Sequence, residues 1–344
     1  MITPHPRPYS VFVGDVSLDE FFRTDAWPGS GAKVDITPIG TYVGGMIANA
    51  AAVYAGYGES VRFVWAMNES ELSGRLLADL ESLGIDTSLV VRDASLADSR
   101  NIIVLADGEH TVLTPALGLA TIELTGAALD ALRGARYVYT AIGDLRSLRH
   151  DGRPATWVIA DFRGAGARLV LDLDVGHVRP GDEALYSAAD VLLVNRLGFA
   201  RLCGLRTESE TLADLFGGAA RVVVVTLGAD GCRVVTRSGE STVPGIAVDP
   251  IDVTGAGDTF GASFVHALDL TDDPVAAATF ANAAAARAVG SAGGRSGVAT
   301  EEEVVAFADR HGVSVALHLQ PNPDASQAPR RHDVRVKTSE RSAS

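Results

Sequence analysis

Hydrophobic residues in the second half of the chain occur in continuous runs, not in alternation with polar residues. The four clearest runs cover residues 136–142 (RYVYTAI), 168–174 (RLVLDLD), 190–195 (DVLLVN) and 221–228 (RVVVVTLG). Such runs are typical of strands that are buried on both faces. Segments with helical spacing separate them, and this alternation predicts an α/β fold with a mostly parallel sheet between two layers of helices.

The first half of the chain adds two short strands and a helix. Residues 10–16 and 61–67 are apolar, and residues 71–83 are amphipathic and end at Gly84, a common residue just beyond a helix. The first strand is followed by Asp15 and Asp19. Ligands of open α/β sheets lie beyond the carboxyl ends of strands, so both carboxylates are candidates for substrate binding. The alternative is that they are solvated loop residues.

A second, smaller sheet is predicted from two segments without helical periodicity. Residues from about 20 to 42 contain short alternating stretches, and residues from about 99 to 115 contain two apolar runs around Asp107 and Gly108. The Asp-Gly pair is a strong hairpin signal. No proline-rich linker interrupts the chain. One domain over residues 8–315 is therefore expected, followed by a polar tail, residues 320–344, that we expect to be disordered.

Two glycine pairs each precede a helix. Gly44 and Gly45 precede a segment with Asn49 in its first turn, which suits hydrogen bonding to a polar ligand. Residues 255–257 (GAG) precede a segment with apolar residues at helical spacing. The N–H groups of a first helical turn attract anions, and glycine lets a phosphate oxygen approach the backbone. Asp258 would then be either a general base or a helix cap.

Composition excludes several classes of partner. The chain has 344 residues, of which 47% are hydrophobic, and a formal net charge of −14. Nucleic acid as a partner is not expected, because no basic stripe is present. The segment MITPHPRPYS lacks the apolar core of a signal peptide. The alanine-rich residues 276–288 include Asn282 and Arg287, so a packed helix is expected there and not a membrane span. A cytoplasmic protein without a membrane partner is the expectation.

The glycine turn carries a resemblance to a known family. Residues 252–258 (DVTGAGD), followed by a helix of small residues, resemble the carboxyl-terminal signature of the PfkB (ribokinase-like) family of sugar and nucleoside kinases. This resemblance implies a ribokinase-like three-layer α/β/α sandwich, with the small sheet acting as a lid that pairs with that of a second subunit in a homodimer. It also implies an ATP- and Mg²⁺-dependent kinase that phosphorylates a primary hydroxyl of a small sugar or sugar derivative.

The resemblance assigns expected roles to individual residues. Asp258 would be the general base, and the other site residues fall into four groups. The anion hole would consist of Gly255, Ala256 and Gly257; the sugar site of Asp15, Asp19, Gly44, Gly45 and Asn49; the nucleotide site of Asn195, Thr226, Gly228 and Asn282; and a site for a monovalent cation such as K⁺ would involve Asp252 and Thr254 together with the glycine-rich residues 288–297.

The chain departs from the family pattern at several positions. Gly198 occupies the glutamate position of the Asn-x-x-Glu motif that begins at Asn195, which puts the handling of magnesium in question. Asp174 stands where the family often has asparagine, and residues 66–69 (AMNE) replace Gly-x-Asp. Two alternatives to the sugar kinase are left open, the first because the same family scaffold serves nucleosides and the second because of Gly198. One is a nucleoside kinase in which Phe21 and Phe22 stack on a base; the other is a catalytically weak sugar- or nucleotide-binding regulator.

Overall fold

A computed structural model of the chain describes residues 9–107, 109–115, 118, 121–173, 178–315 and 317. Gly108, Asp174 and the tail predicted over residues 320–344 lie outside these described residues.

Strands are distributed along most of the chain. In chain order they are β1 (Ser10–Val13), β2 (Ser17–Arg23), β3 (Thr37–Gly44), β4 (Val61–Val64), β5 (Ala66–Met67), β6 (Val91–Arg92), β7 (Arg100–Ala106), β8 (Glu109–Leu113), β9 (Ile122–Glu123), β10 (Tyr137–Ala141), β11 (Leu148–His150), β12 (Arg153–Pro154), β13 (Arg168–Leu173), β14 (Val191–Asn195), β15 (Val222–Thr226), β16 (Cys232–Thr236) and β17 (Gly239–Val243).

Helices connect these strands and form the carboxyl-terminal part of the described chain. In chain order they are α1 (Met46–Gly56), α2 (Glu71–Ser82), α3 (Gly126–Gly134), α4 (Ile142–Ser147), α5 (Ala155–Gly164), α6 (Glu183–Tyr186), α7 (Arg196–Cys203), α8 (Glu208–Gly217), α9 (Ala256–Thr271), α10 (Pro274–Ala288) and α11 (Glu301–Arg310), with a 3₁₀ turn at Gly228–Asp230.

The central sheet is mostly parallel, as the apolar runs predict. Its order is β17-β16-β15-β14-β13-β10-β1-β4. The six strands from β15 to β4 are parallel, whereas β16 and β17 form an antiparallel edge. Two strands of the structure differ in extent from their predictions. The first ends at Val13, and the predicted strand over residues 61–67 divides into β4 and β5, which pairs with β6 in a separate small sheet.

The core lies on both faces of this sheet. Three consecutive residues of β1, namely Val11, Phe12 and Val13, are at most 1% exposed, so side chains that point in opposite directions are both covered. Helices α1, α9, α10 and α11 pack in sequence against one another, and α3 to α6 form a second group. The rings of Phe12 and Tyr139 stack across β1 and β10 with centroids 5.0 Å apart.

A second sheet of four strands, here called the lid sheet, has the order β3-β2-β7-β8. Strand β2 pairs antiparallel with β3 and parallel with β7, and β7 and β8 form the hairpin that Asp107-Gly108 predicts. Asp107 has a φ of 54°, which is a turn conformation that aspartate tolerates better than most residues. Because β2 begins four residues after β1 ends, the lid sheet stands directly beyond the carboxyl end of the central sheet.

No helix within the described ranges is long and apolar enough to cross a lipid bilayer.

Candidate active site

The candidate site residues follow strands whose carboxyl ends meet at one edge of the central sheet. In the central sheet, β4 lies on one side of β1 and β10 lies on the other side, so the strand order reverses at β1. Such a reversal of strand order opens a crevice at the carboxyl ends, where α/β proteins bind ligands. Asp15 follows β1, Asp172 lies near the end of β13, and Asn195 ends β14. The topology therefore brings these segments to one edge.

The glycine turn before α9 depends on the absence of side chains. Gly255 is the N-cap of α9 with a φ of 76°, in the left-handed region that favours glycine. A Cβ on Gly255 would lie 2.1 Å from the carbonyl oxygen of Gly294, so two loops touch backbone to backbone. The N–H of Ala256 donates to the carbonyl of Val253 at 3.2 Å. That N–H is engaged inside the turn, so Ala256 contributes less to an anion hole than its position in the motif indicates.

Asp258 lies inside the first turn of α9 and not at its N-cap. No side chain caps this helix, so the structure does not support helix capping as the role of Asp258. The amide Nδ2 of Asn49 donates to Oδ2 of Asp258 at 2.9 Å. Asn49 is 4% exposed, whereas Asp258 is half-buried. Two residues 209 positions apart in the sequence thus meet, and a buried amide orients a carboxylate that still reaches the surface.

Tyr139 on β10 is buried against α9, within electrostatic reach of this carboxylate. Its hydroxyl needs Gly261 on α9, because a Cβ there would lie 2.2 Å from that oxygen. Burial raises the pKa of Tyr139 well above its ordinary value, and the charges of Asp172 and then Asp258 raise it further. The phenol therefore stays protonated at neutral pH. The same effect places the charges of Asp172 and Asp258 within electrostatic reach of one buried group.

Asp19 lies in the lid sheet and is held by two donors. Its Oδ1 accepts from the hydroxyl of Ser17 at 3.0 Å and from Nδ2 of Asn101 at 2.8 Å. A Cβ on Gly44 would lie 2.0 Å from Oδ2 of Asp19, so any larger residue there would displace this carboxylate. Burial raises the pKa of Asp19 above its ordinary value, although Asn101, Ser17 and the charge of Arg295 lower it. The carboxylate is positioned but incompletely solvated, as expected for one that accepts hydrogen bonds from a ligand.

Asn101 was missed in the sequence analysis. It lies on β7, and the parallel pairing of β2 with β7 sets it opposite Asp19. The only sequence signal was its place in the second segment of the lid sheet, since strand register is not visible in the sequence.

Gly45 brings the segment after β1 against the start of α1. Its φ is 98°, and a Cβ there would lie 2.6 Å from the carbonyl oxygen of Asp15. The backbone of the Gly44-Gly45 pair therefore touches both aspartates of the sugar site that the resemblance implies. Asp15, Asp19 and Asn49 are brought to the same region of the fold.

The four candidate nucleotide residues lie on adjoining elements, namely β14, β15, the turn after β15 and α10. Asn195 and Thr226 are direct neighbours at the ends of β14 and β15, and Gly228 follows in a turn with a φ of 65°. Asn282 lies on α10, and its amide donates to the backbone carbonyls of Val243 at 3.3 Å and Pro244 at 3.1 Å. This amide fastens α10 to the end of β17, so a structural role accounts for its hydrogen bonds.

Asp252 joins the glycine turn to the loop formed by residues 293–297. Its Oδ1 accepts from the N–H of Thr254 at 2.9 Å, and its Oδ2 accepts from the N–H of Gly293 at 2.8 Å. Carboxylate oxygens are also ligands that cations bind in proteins. The two hydrogen bonds alone already hold the turn and the loop in one arrangement.

Gly198 is buried at the third position of α7. Oδ1 of Asn195 accepts from its N–H at 2.7 Å, which caps the helix. A Cβ at residue 198 would lie 2.9 Å from a methyl carbon of Val194 and 3.3 Å from the carbonyl oxygen of Leu173. The surroundings are thus packed around glycine, and this position offers no carboxylate to a metal ion.

Several known proteins resemble this chain in sequence and in fold. A family model described as pfkB family carbohydrate kinase matches residues 8–301. The ATP-dependent ribose-1-phosphate kinase of Halopiger xanaduensis is 33% identical over 305 residues, which cover 86% of this chain and 96% of that protein. The ribokinase of Bacillus subtilis is 29% identical over 293 residues, covering 85% and 96%. The structure of Arabidopsis thaliana ribokinase complexed with ribose and ATP superposes with a TM-score of 0.76 at 24% identity, covering 88% of this chain and 99% of that one.

Proposed function

The chain belongs to the pfkB family of carbohydrate kinases and is a sugar kinase, and from this we propose that it transfers the γ-phosphoryl group of ATP to a primary hydroxyl of a small sugar or sugar derivative. The contact between Asn49 and Asp258 beside the glycine turn carries the proposal. It places a half-buried carboxylate, oriented by a buried amide, at the start of a helix whose first N–H groups point to the same side.

In the proposed reaction Asp19, Gly45 and Asn49 orient the acceptor. The acceptor oxygen forms a bond to the γ-phosphorus, the bond from that phosphorus to the bridging oxygen of ADP breaks, and Asp258 takes the hydroxyl proton. Backbone N–H groups at residues 255–257 stabilise charge on the phosphoryl oxygens, with Gly257 contributing more than Ala256. Closure of the lid sheet excludes water that would otherwise accept the phosphoryl group.

Magnesium ions bound to ATP would offset the charge of its phosphates. The carboxylate of Asp172, whose charge acts on Tyr139 together with that of Asp258, would provide oxygen ligands of the kind that this cation prefers. Position 198 provides none. A monovalent cation bound near Asp252 and Thr254 would reinforce the link between the turn and residues 293–297, and we include K⁺ in the proposal on that basis.

Acidic pH should weaken acceptor binding through Asp19. Its folded pKa is raised, so the carboxylate takes up a proton at a higher pH than an ordinary aspartate, and kcat/KM for the sugar should fall as the pH decreases through that value. Asp19→Asn should lower kcat/KM at neutral pH by about 10- to 100-fold, because a charged acceptor is lost. A pH profile of both proteins from 4 to 8 measures this.

The contribution of Asp19 to the stability of the fold should depend on pH in the opposite direction from its contribution to kcat/KM. A raised carboxyl pKa stabilises the fold at pH values below the unfolded pKa, and this contribution is lost as the pH rises through the folded pKa. Asn at residue 19 keeps an oxygen for Ser17 and Asn101 and carries no charge to desolvate. Asp19→Asn should therefore be at least as stable as the unsubstituted protein at neutral pH in urea denaturation. A marked loss of stability would show that Asp19 is a structural residue.

The nucleoside kinase alternative receives less support from the structure. The rings of Phe21 and Tyr42 meet edge to face with centroids 5.4 Å apart, so Phe21 packs within the lid sheet. The regulator alternative rests on Gly198. ADP release from ATP and Mg²⁺, measured against a panel of sugars and nucleosides, distinguishes the three. Turnover with a sugar would favour the sugar kinase, and turnover with a nucleoside would favour the nucleoside kinase. Ligand binding without turnover would favour the regulator.

We also propose that the kinase domain spans residues 8–315 and forms a homodimer through the lid sheet. The lid sheet exposes Ile39, Val112 and Leu113 at 42–49%, and Trp27 in the adjoining connection is 47% exposed. Exposed apolar side chains of this size favour contact with a second copy. Sedimentation should therefore show a dimer, and Val112→Glu should shift it to monomer without unfolding it. A protein that sediments as a monomer at all concentrations would contradict the proposal.

A further inference from the structure

Arg295 is a buried cation that the proposed reaction leaves without a role. It lies in the loop of residues 293–297, and its side chain is 14% exposed. One terminal nitrogen, Nη1, pairs with Oδ2 of Asp79 on α2. The other two nitrogens, Nε and Nη2, are buried and have no hydrogen-bond partner within the described part of the chain. One edge of the guanidinium is thus engaged and the other is not.

The ion pair with Asp79 explains only part of this arrangement. A lysine would provide the same single pair, whereas arginine adds a planar fork of two N–H groups at Nε and Nη2. Buried donors without acceptors destabilise a protein, and native structures contain few of them. The unpaired fork has the geometry that matches two oxygens of a phosphate or a carboxylate.

The loop that carries Arg295 borders the proposed acceptor site. A Cβ on Gly294 would lie 2.8 Å from Nδ2 of Asn49, and one on Gly293 would lie 3.4 Å from the ring of Tyr42. Asp19 and Arg295 each affect the other's pKa through their charges. Oδ1 of Asn49 is another buried polar atom without a hydrogen-bond partner among the described residues. The unpaired atoms therefore lie on the same side of the fold as the sugar-binding candidates.

Arg295 remains charged under physiological conditions. Burial lowers its pKa to about 10, and the charge of Asp19 counteracts this in part. The chain as a whole is acidic, with a formal net charge of −14, and Asp19 and Asp79 both face this cation. This site would repel an acceptor with its own negative charge unless a cation of the protein paired with that charge.

We propose that the Nε and Nη2 edge of Arg295 binds an anionic group of the acceptor, so that the preferred substrate is a sugar that already carries a phosphate or a carboxylate. This inference rests on the proposed sugar kinase function. The two fork nitrogens are buried, and a Cβ on Gly293 would lie 3.4 Å from the ring of Tyr42 on the lid sheet, so opening of the lid sheet gives an acceptor access to this loop. The similarity to a protein named as a ribose-1-phosphate kinase is consistent with such an acceptor.

The test compares neutral and anionic acceptors. ADP release is measured with ribose, ribose 1-phosphate and gluconate, on the full chain and on Arg295→Gln and Arg295→Lys. The unsubstituted protein should prefer an anionic acceptor, and the choice between ribose 1-phosphate and gluconate distinguishes a phosphate from a carboxylate. Both substitutions should lower kcat/KM for that acceptor by about 10- to 100-fold, the range for losing a charged hydrogen-bond donor, and leave ribose within about threefold.

Asp79→Asn is the matched control, because it removes the ion pair and leaves the fork. It should retain the preference for the anionic acceptor. A preference for ribose over both anionic sugars, or an equal loss for ribose and the anionic acceptor in the Arg295 variants, would overturn the proposal. Equilibrium binding of ribose 1-phosphate without ATP provides a readout independent of turnover. Tight binding that Arg295→Gln abolishes would support the anion site even if no sugar were phosphorylated, a result that would contradict only the kinase function.

Discussion

Asp258→Asn is expected to lower kcat by about 10²- to 10⁴-fold, the contribution typical of a general base. Asparagine keeps an oxygen that can accept the hydrogen bond from Asn49, so the geometry of the first turn of α9 should persist. Only the ability to take a proton is removed. The measurement is ADP release with saturating ATP and acceptor, together with ATP affinity by equilibrium binding, which should be retained.

Asp272→Asn is the control for this experiment. Asp272 caps the carboxyl end of the same helix with a φ of 52°, a conformation that asparagine also tolerates. Its substitution should leave kcat unchanged. If Asp258→Asn retained more than about a tenth of the activity, Asp258 would not be the base. If the unsubstituted protein bound ligands but released no ADP with any acceptor, the missing carboxylate at Gly198 would outweigh the intact turn, and the regulator alternative would take precedence.

Gly255→Ala is expected to destabilise the protein by more than about 2 kcal/mol, because alanine is disfavoured at positive φ and its Cβ has no space. That Cβ would lie 2.1 Å from the carbonyl oxygen of Gly294, and a backbone atom cannot move aside as a flexible side chain can. The contact between the turn and residues 293–297 would open, and turnover should fall with it. Urea denaturation measures the free energy of unfolding, and ADP release measures the loss of function.

Gly257→Ala separates stability from catalysis at the same turn. Nothing lies within 4 Å of a Cβ built on Gly257, and its φ is not in the left-handed region. Alanine in place of glycine within a helix should leave stability unchanged or raise it by up to about 1 kcal/mol. The added methyl group would occupy the open space where the phosphoryl group is proposed to bind, so kcat should fall at least tenfold. Full activity in Gly257→Ala would show that the phosphoryl group does not bind against this part of the turn.

Local patterns in the sequence determined much of the architecture. Continuous apolar runs predicted the parallel sheet, and the glycine turn predicted the start of α9, because each depends on residues close together in the chain. The lid hairpin at Asp107-Gly108 was likewise predicted from residues close together in the chain. The family resemblance then indicated the kinase reaction from a short motif whose backbone geometry requires glycine.

The partners of the site residues were decided only by the tertiary structure. Asn101 meets Asp19 through the pairing of β2 with β7, and Asn49 meets Asp258 through the packing of α1 on α9. Asn282 donates to two backbone carbonyls at the end of β17, a contact that depends on the packing of α10 against that strand.

The tertiary structure likewise decides which nitrogens of Arg295 have hydrogen-bond partners, because the side chains that surround Arg295 come from distant parts of the chain. The sequence alone therefore predicted the six parallel strands of the central sheet, the lid hairpin and the glycine turns, because backbone conformation depends on neighbouring residues. Hydrogen bonds between residues 82 to 216 positions apart depend on strand register and helix packing, and only the folded chain decides these.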